Sequence, residues 1–189
     1  MYKGYQKIFW GFFIATFSII IGFIRIPPPF VGWMVVLSGI NILNEGYKTD
    51  SFELATKLSK YLIGLSLLGE LISIFSVTSQ NRFKLLDFMQ IGVLILELLV
   101  VYKILEGSIE YLKANEIKIY PTQYEGNLRT YTIFFVIAAI LICIGITLNN
   151  SVMVIGAILT FILRISVMVM MSNLKKLDIK MYDESKPRV

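Results

Sequence analysis

The stretch SVMVIGAILTFILRISVMVMM, residues 151–171, decides the class of this protein. It is long and apolar enough to cross a lipid bilayer as a helix, yet it carries one cation, Arg164, near its middle. A cationic side chain at the centre of a bilayer costs about 2.5–3.5 kcal/mol by insertion measurements. Arg164 is therefore expected to face protein or water inside a bundle and to have an anionic partner.

The whole chain is far more apolar than a soluble domain. Hydrophobic residues make up 56% of its 189 residues and charged residues 16%, whereas soluble domains average about 25% charged residues. The apolar residues form long blocks, which predicts an all-α fold, a polytopic membrane bundle of six transmembrane helices. The predicted spans cover residues 7–26, 30–45, 58–78, 85–106, 130–148 and 151–172. Residues 1–172 are predicted to form this domain, and residues 173–189 a basic cytoplasmic tail.

Lysine and arginine are distributed unequally between the two predicted sides of the membrane. Most of the 18 Lys and Arg residues lie on the side of both chain ends, and few lie on the opposite side. Because positively charged loops stay in the cytoplasm, both termini are predicted to be cytoplasmic. In the tail, Lys175, Lys176 and Lys180 surround an apolar face, which fits either a helix on an anionic membrane surface or a solvated end.

Several function classes lack support in the sequence. The chain has no histidine, and its one cysteine, Cys143, lies in an apolar block, so we predict no catalytic residue, no metal site and no cofactor. Phosphate-binding loops and the HExxH and GxSxG motifs do not occur. Basic residues that flank the spans explain the net charge of +5 better than nucleic-acid binding does. An enzyme is therefore disfavoured, and the lipid bilayer is the first expected partner.

Polar residues form a stripe on one helical face in four of the spans. Residues three, four or seven positions apart share a face, and Glu70, Glu97 and Arg164 fall at a similar depth for a rise of about 1.5 Å per residue. Both glutamates are expected to share Arg164, which leaves a surplus anion that can accept a proton. The candidate ligand or proton site comprises Glu70, Glu97, Arg164, Ser66, Ser73, Gln90, Asn41 and Thr160.

Two interpretations of this cluster remain open. In one, it binds a small polar solute or relays protons in a membrane transport component, because charges inside a membrane are functional by default. In the other, it is a structural staple in a non-catalytic interaction protein. Such a protein is an immunity, regulatory or assembly subunit that holds a membrane protein partner.

Other residues are predicted to shape and anchor the bundle. Pro27, Pro28 and Pro29 cannot continue a helix and are predicted to make an extended corner between the first two spans. Trp33 and Tyr131 are typical of interfacial anchors. A stripe of small residues on the first span is predicted to pack against another helix: Gly11, Ala15, Ser18 and Gly22.

The corner after the first span carries a resemblance. The stretch IRIPPPFVGW, residues 24–33, is followed by Leu37, Gly39 and Leu43 and then by SFELA, residues 51–55. This pattern resembles one in uncharacterised small multi-pass membrane proteins of low-GC Gram-positive bacteria, over about a quarter of the chain. The resemblance implies a bacterial cytoplasmic membrane but no activity. The plan of six helices with both ends inside is also similar to the substrate-capture subunits of energy-coupling-factor vitamin transporters.

Overall fold

In the computed structural model the described residues are helical apart from one short pair of strands and the connections between elements. The structure describes residues 1–17, 19–21, 24–75, 81–115, 120–148 and 150–184. These residues form the helices α1 (Tyr2–Thr16), α2 (Pro29–Gly46), α3 (Asp50–Phe75), α4 (Asn81–Ala114), α5 (Tyr120–Thr147) and α6 (Asn150–Glu184). Strands β1 (Ile19–Ile21) and β2 (Ile24–Ile26) pair antiparallel between α1 and α2. The predicted helical fold class is confirmed.

The helices are arranged as a closed ring. Each helix packs against the helices that precede and follow it in the chain, and α6 packs against α1. In this ring α3 lies opposite α6, and α4 is separated from α6 by α5. Large side chains from α1, α2, α3 and α5 fill the core, among them Phe12, Trp33, Phe52 and Phe135. The order of the helices therefore determines which polar stripes meet inside the ring.

The outer surface of the ring is apolar along several helices. Within the described residues, three helical segments are long and apolar enough to cross a membrane: Phe88–Ala114, Pro121–Thr147 and Asn150–Tyr182. Ile155, Ile158 and Ile162 of α6 are each more than half exposed. A continuous exposed apolar surface of this kind is typical of lipid contact. The structure thus indicates a membrane protein, while six crossings stay a prediction.

The first predicted span, residues 7–26, is wrong as a single helix. Helix α1 ends at Thr16, and the isoleucines that follow form the β1–β2 hairpin. Isoleucine is β-branched and favours a strand where no packing partner enforces a helix. The proline run then separates the hairpin from α2, which begins at Pro29, a position where a missing backbone N–H costs nothing.

Helices α1 and α2 pack with their backbones in close approach. A Cβ atom added at Gly11 would lie 2.7 Å from the carbonyl oxygen of Gly32, and one added at Gly39 would lie 2.7 Å from that of Gly4. Such glycine pairs allow helices to pack without side chains between them. Gly11 and Ala15 of the predicted small-residue stripe lie in this contact. The other two members, residues 18 and 22, lie outside the described residues.

The predicted tail is partly a continuation of α6. This helix runs without a break through residue 172 to Glu184, and Leu174 is buried. The carboxylate of Asp178 lies 3.2 Å from the amino group of Met1 and accepts a hydrogen bond of 2.8 Å from the Tyr111 hydroxyl. Residues 173–184 thus continue α6, and part of this segment contacts α1 and α4. Residues 185–189 lie outside the described residues.

Candidate functional site

A cavity of about 640 Å³ lies inside the ring. This volume is within the range of about 300–1,000 Å³ that is usual for small-molecule sites. The cavity begins among Thr16, Pro29 and Ala157, near the α1–α2 and α5–α6 connections, and reaches Arg164 seven residues further along α6. At about 1.5 Å per residue it extends about 10 Å along the helix axes. All six helices contribute to its lining, including Thr16, Trp33, Glu70, Gln90, Ile142 and Arg164.

Arg164 and Glu97 form a bidentate ion pair at the inner end of this cavity. The Arg164 Nε donates to Glu97 Oε1 at 2.7 Å, and Nη2 donates to Oε2 at 2.6 Å. The side chain of Glu97 is fully buried, whereas that of Arg164 is 21% exposed. The anionic partner expected for Arg164 is thus present. The pair links α4 and α6, which are not neighbours in the ring.

Glu97 occupies only one edge of the Arg164 guanidinium. A guanidinium has five N–H donors, and within the described residues only the Nε and Nη2 groups of Arg164 donate to a protein acceptor. Arg164 lines the cavity and Glu97 does not. The Arg164 Cζ also lies 6.0 Å from the centre of the Trp33 ring, a cation–π contact. Arg164 therefore lies between Glu97 and the cavity, and no acceptor among the described side chains contacts its Nη1 group.

Glu70 is a second charge in the cavity wall, separate from the pair. It is half-buried and lines the cavity from α3. Within the part of the chain that the structure describes, no ion pair joins Glu70 to Arg164, and the nearest anion to that guanidinium is Glu97. The expectation that both glutamates contact Arg164 therefore holds for Glu97 only.

The remaining predicted site residues divide into two groups. Four of them line the same cavity: Ser66, Ser73, Gln90 and Thr160. Asn41 does not. It is exposed on α2, where its Oδ1 atom accepts a hydrogen bond of 3.4 Å from the Thr56 hydroxyl. Asn41 thus contributes to the contact between α2 and α3 and lies away from the cavity.

Two aromatic residues near the ion pair have roles that the sequence analysis missed. Trp33 and Tyr131 were expected at the membrane interface, but their exposures are only 1% and 3%. Trp33 packs edge-on against Phe12 and lines the cavity. The Tyr131 hydroxyl is buried on α5, the helix that lies between α4 and α6 in the ring. A sequence signal did exist for α5, since Tyr131 continues the inward stripe of Phe135, Ala138 and Ile142.

The chain finds no match among protein-family models, curated proteins or solved structures. Among the described residues, no group of three or more His, Cys, Asp or Glu side chains is placed to hold a metal ion. The chemistry that the cavity offers consists of hydrogen bonds, charged contacts and apolar packing.

Proposed function

We propose that the protein is a transport component of a bacterial cytoplasmic membrane and that its cavity binds a small polar solute. The observation that carries this proposal is the cavity itself, which all six helices line and which contains both Arg164 and Glu70. Charged residues that face an interior cavity of a membrane protein usually mark a pathway for a substrate or an ion.

In this proposal all six helices cross the membrane, and both chain ends are cytoplasmic. The excess of Lys and Arg on one predicted side supports this orientation. The contact between Met1 and Asp178 agrees with both ends being on one side, because it brings the start of α1 and the last part of α6 together at one end of the ring. The cavity then faces the outer side, the orientation needed to capture a solute. The six-helix plan, which is similar to that of substrate-capture subunits, also agrees with a cavity that faces outward.

Solute binding is favoured over a proton relay. A relay through both glutamates needs both to exchange protons with the cavity, but only Glu70 lines it, whereas Glu97 is fully buried behind Arg164. Glu97 is better suited to hold the guanidinium in place. Arg164 and Glu70 are then the charged groups that contact the solute.

A second candidate is a non-catalytic membrane interaction protein, such as an immunity, regulatory or assembly subunit. The observation that favours it is the bidentate pair, which joins two non-neighbouring helices and is what a structural staple requires. This candidate assigns no role to Glu70 or to the cavity, and it is therefore the weaker one.

Two glycines of α3 allow a test with a matched control. Gly69 lines the cavity, and a Cβ atom there would meet only the Met89 methyl at 4.0 Å, whereas a Cβ atom at Gly64 would meet nothing within 4 Å on the exposed face. Gly69→Leu therefore fills the cavity, and Gly64→Leu adds the same side chain outside it.

Native mass spectrometry of protein released from its own membrane distinguishes the candidates. We expect a bound small molecule on the wild type and on Gly64→Leu, and none on Gly69→Leu. Equal occupancy of both variants would show that the molecule binds elsewhere. A stoichiometric protein partner without any small molecule would favour the interaction protein.

A further inference from the structure

The described side chains of the cavity and its ion pair include two carboxylates and one guanidinium. Glu97 neutralises Arg164, whereas no ion pair to Glu70 is seen among the side chains that the structure describes, which do not include those of Arg25, Arg82 and Lys84. With Glu70 ionised, these three groups carry one net negative charge. Charges interact strongly where the surroundings are poorly polarisable. A purely anionic solute would therefore be repelled, and a solute that brings a cationic group to Glu70 would be attracted.

Arg164 places a second requirement on the solute. Glu97 takes the Nε–Nη2 edge of the guanidinium, so the donors on the Nη1 side are left for an acceptor from the cavity. The Arg164 side chain is 21% exposed, so these donors are accessible to a solute in the cavity. A carboxylate satisfies such an edge best, because it accepts two parallel charge-assisted hydrogen bonds. A simple amine offers no acceptor and leaves these donors unmatched.

The ring order separates the two charged groups. Glu70 belongs to α3 and Arg164 to α6, and these helices lie opposite each other. The lining that they share mixes apolar side chains with polar ones, among them Val93, Trp33, Phe161, Ser66, Gln90 and Thr160. A solute that meets both groups must therefore carry two opposite charges, and it can also place an apolar part in the cavity.

We infer, on the basis of the proposed function, that the solute is a small zwitterion of the amino-acid type. Its ammonium group contacts Glu70, and its carboxylate contacts the free edge of Arg164. Because such a solute is neutral overall, it satisfies both groups without adding net charge to the membrane interior. Its side chain packs against Trp33 and Phe161.

The test uses purified wild-type protein and three matched probe sets. These are the twenty standard amino acids, the amines that lack the carboxylate and the acids that lack the amino group. Binding is measured by isothermal titration. We expect at least one amino acid to bind. The amine and the acid that match it should each bind at least about tenfold more weakly, because each has lost one charged contact. Tighter binding by the acid or by the amine would overturn the inference and leave the proposed function standing.

The variant Glu70→Gln tests the same inference at one residue. It should weaken binding of the amino acid by about tenfold and strengthen binding of the matched acid, because the repulsion by Glu70 is removed. Glu53→Gln is the control, because Glu53 lies on the same helix but is exposed and outside the cavity. Unchanged binding of the amino acid by Glu70→Gln would overturn the inference. If no probe binds and the native protein retains no small molecule, both the inference and the proposed function are wrong.

Discussion

At the scale of single residues, the stability of the bundle depends on the Glu97–Arg164 pair being complete. Glu97 is fully buried and makes two short hydrogen bonds to the guanidinium. Taking both charges out of water is expensive, and their attraction mainly offsets that cost. Removal of either partner alone therefore leaves a charge inside the ring without compensation, while removal of both does not.

This dependence predicts a non-additive result in a double-mutant cycle. Glu97→Leu and Arg164→Leu should each lower the free energy of unfolding by about 3–5 kcal/mol, and the double variant should recover most of that loss. Chemical denaturation of the purified protein in detergent measures all three. A double variant that loses the sum of the two single effects would rule out the pair as their cause.

The exposed pair of Glu53 and Lys57 provides the control for this cycle. Their hydrogen bond of 2.6 Å lowers the pKa of Glu53 and raises that of Lys57. Both side chains are more than half exposed, at 58% and 61%, so water and salt screen their attraction. Glu53→Gln should leave the denaturation midpoint where it is.

At the scale of the elements, the glycines of α1 and α2 decide how closely these helices pack. Their backbones approach so closely that an added methyl group has no space at Gly11, where it would lie 2.6 Å from the Val36 Cγ2 atom. Gly64 of α3 has no such constraint. The same substitution should therefore have opposite effects at the two positions.

We expect Gly11→Ala to destabilise the protein by about 1–3 kcal/mol, because overpacking forces the helices apart. Gly64→Ala should stabilise it by about 0.5–1 kcal/mol, because alanine loses less conformational freedom in a helix. The midpoint of thermal unfolding in detergent gives the sign of each change. A neutral Gly11→Ala would mean that α1 and α2 are less closely packed than described.

At the scale of the whole molecule, the proposed topology alternates the helix connections between the two sides of the membrane. The proposed topology places the α1–α2 and α5–α6 connections outside and the segment before α5 in the cytoplasm. Phe17 and Leu148 are 44% and 80% exposed at the two outer connections, and Asn115 is exposed at the end of α4.

Cysteine labelling in intact cells tests this topology. In a Cys143→Ser background, Phe17→Cys and Leu148→Cys should react with a membrane-impermeant maleimide added outside. Asn115→Cys should react only after the cells are permeabilised. Reaction of Asn115→Cys in intact cells together with Leu148→Cys would mean that α5 does not cross. Protection of Phe17→Cys alone would mean that α1 and α2 do not cross, and the number of spans would fall.

Several properties of this protein follow from the sequence alone. The helical class, the apolar outer surface and the need of Arg164 for an anionic partner are consequences of local periodicity and of transfer free energies. Those quantities belong to individual segments and require no knowledge of their neighbours. Six of the eight predicted site residues line the cavity for the same reason, because each was assigned to the inward face of its own helix.

The tertiary structure decided the rest. Hydropathy could not locate the end of α1, because isoleucine is equally apolar in a helix and in the β1–β2 hairpin. Depth along the helix axis is likewise readable from the sequence, but the order of helices around the ring is not. The sequence predicts similar depths for Glu70 and Glu97, but in the structure Glu97 pairs with Arg164, and Glu70 lies on α3, opposite α6 in the ring. A sequence pattern gives the position of each side chain along and around its own helix, whereas an ion pair also depends on where the two helices lie relative to each other.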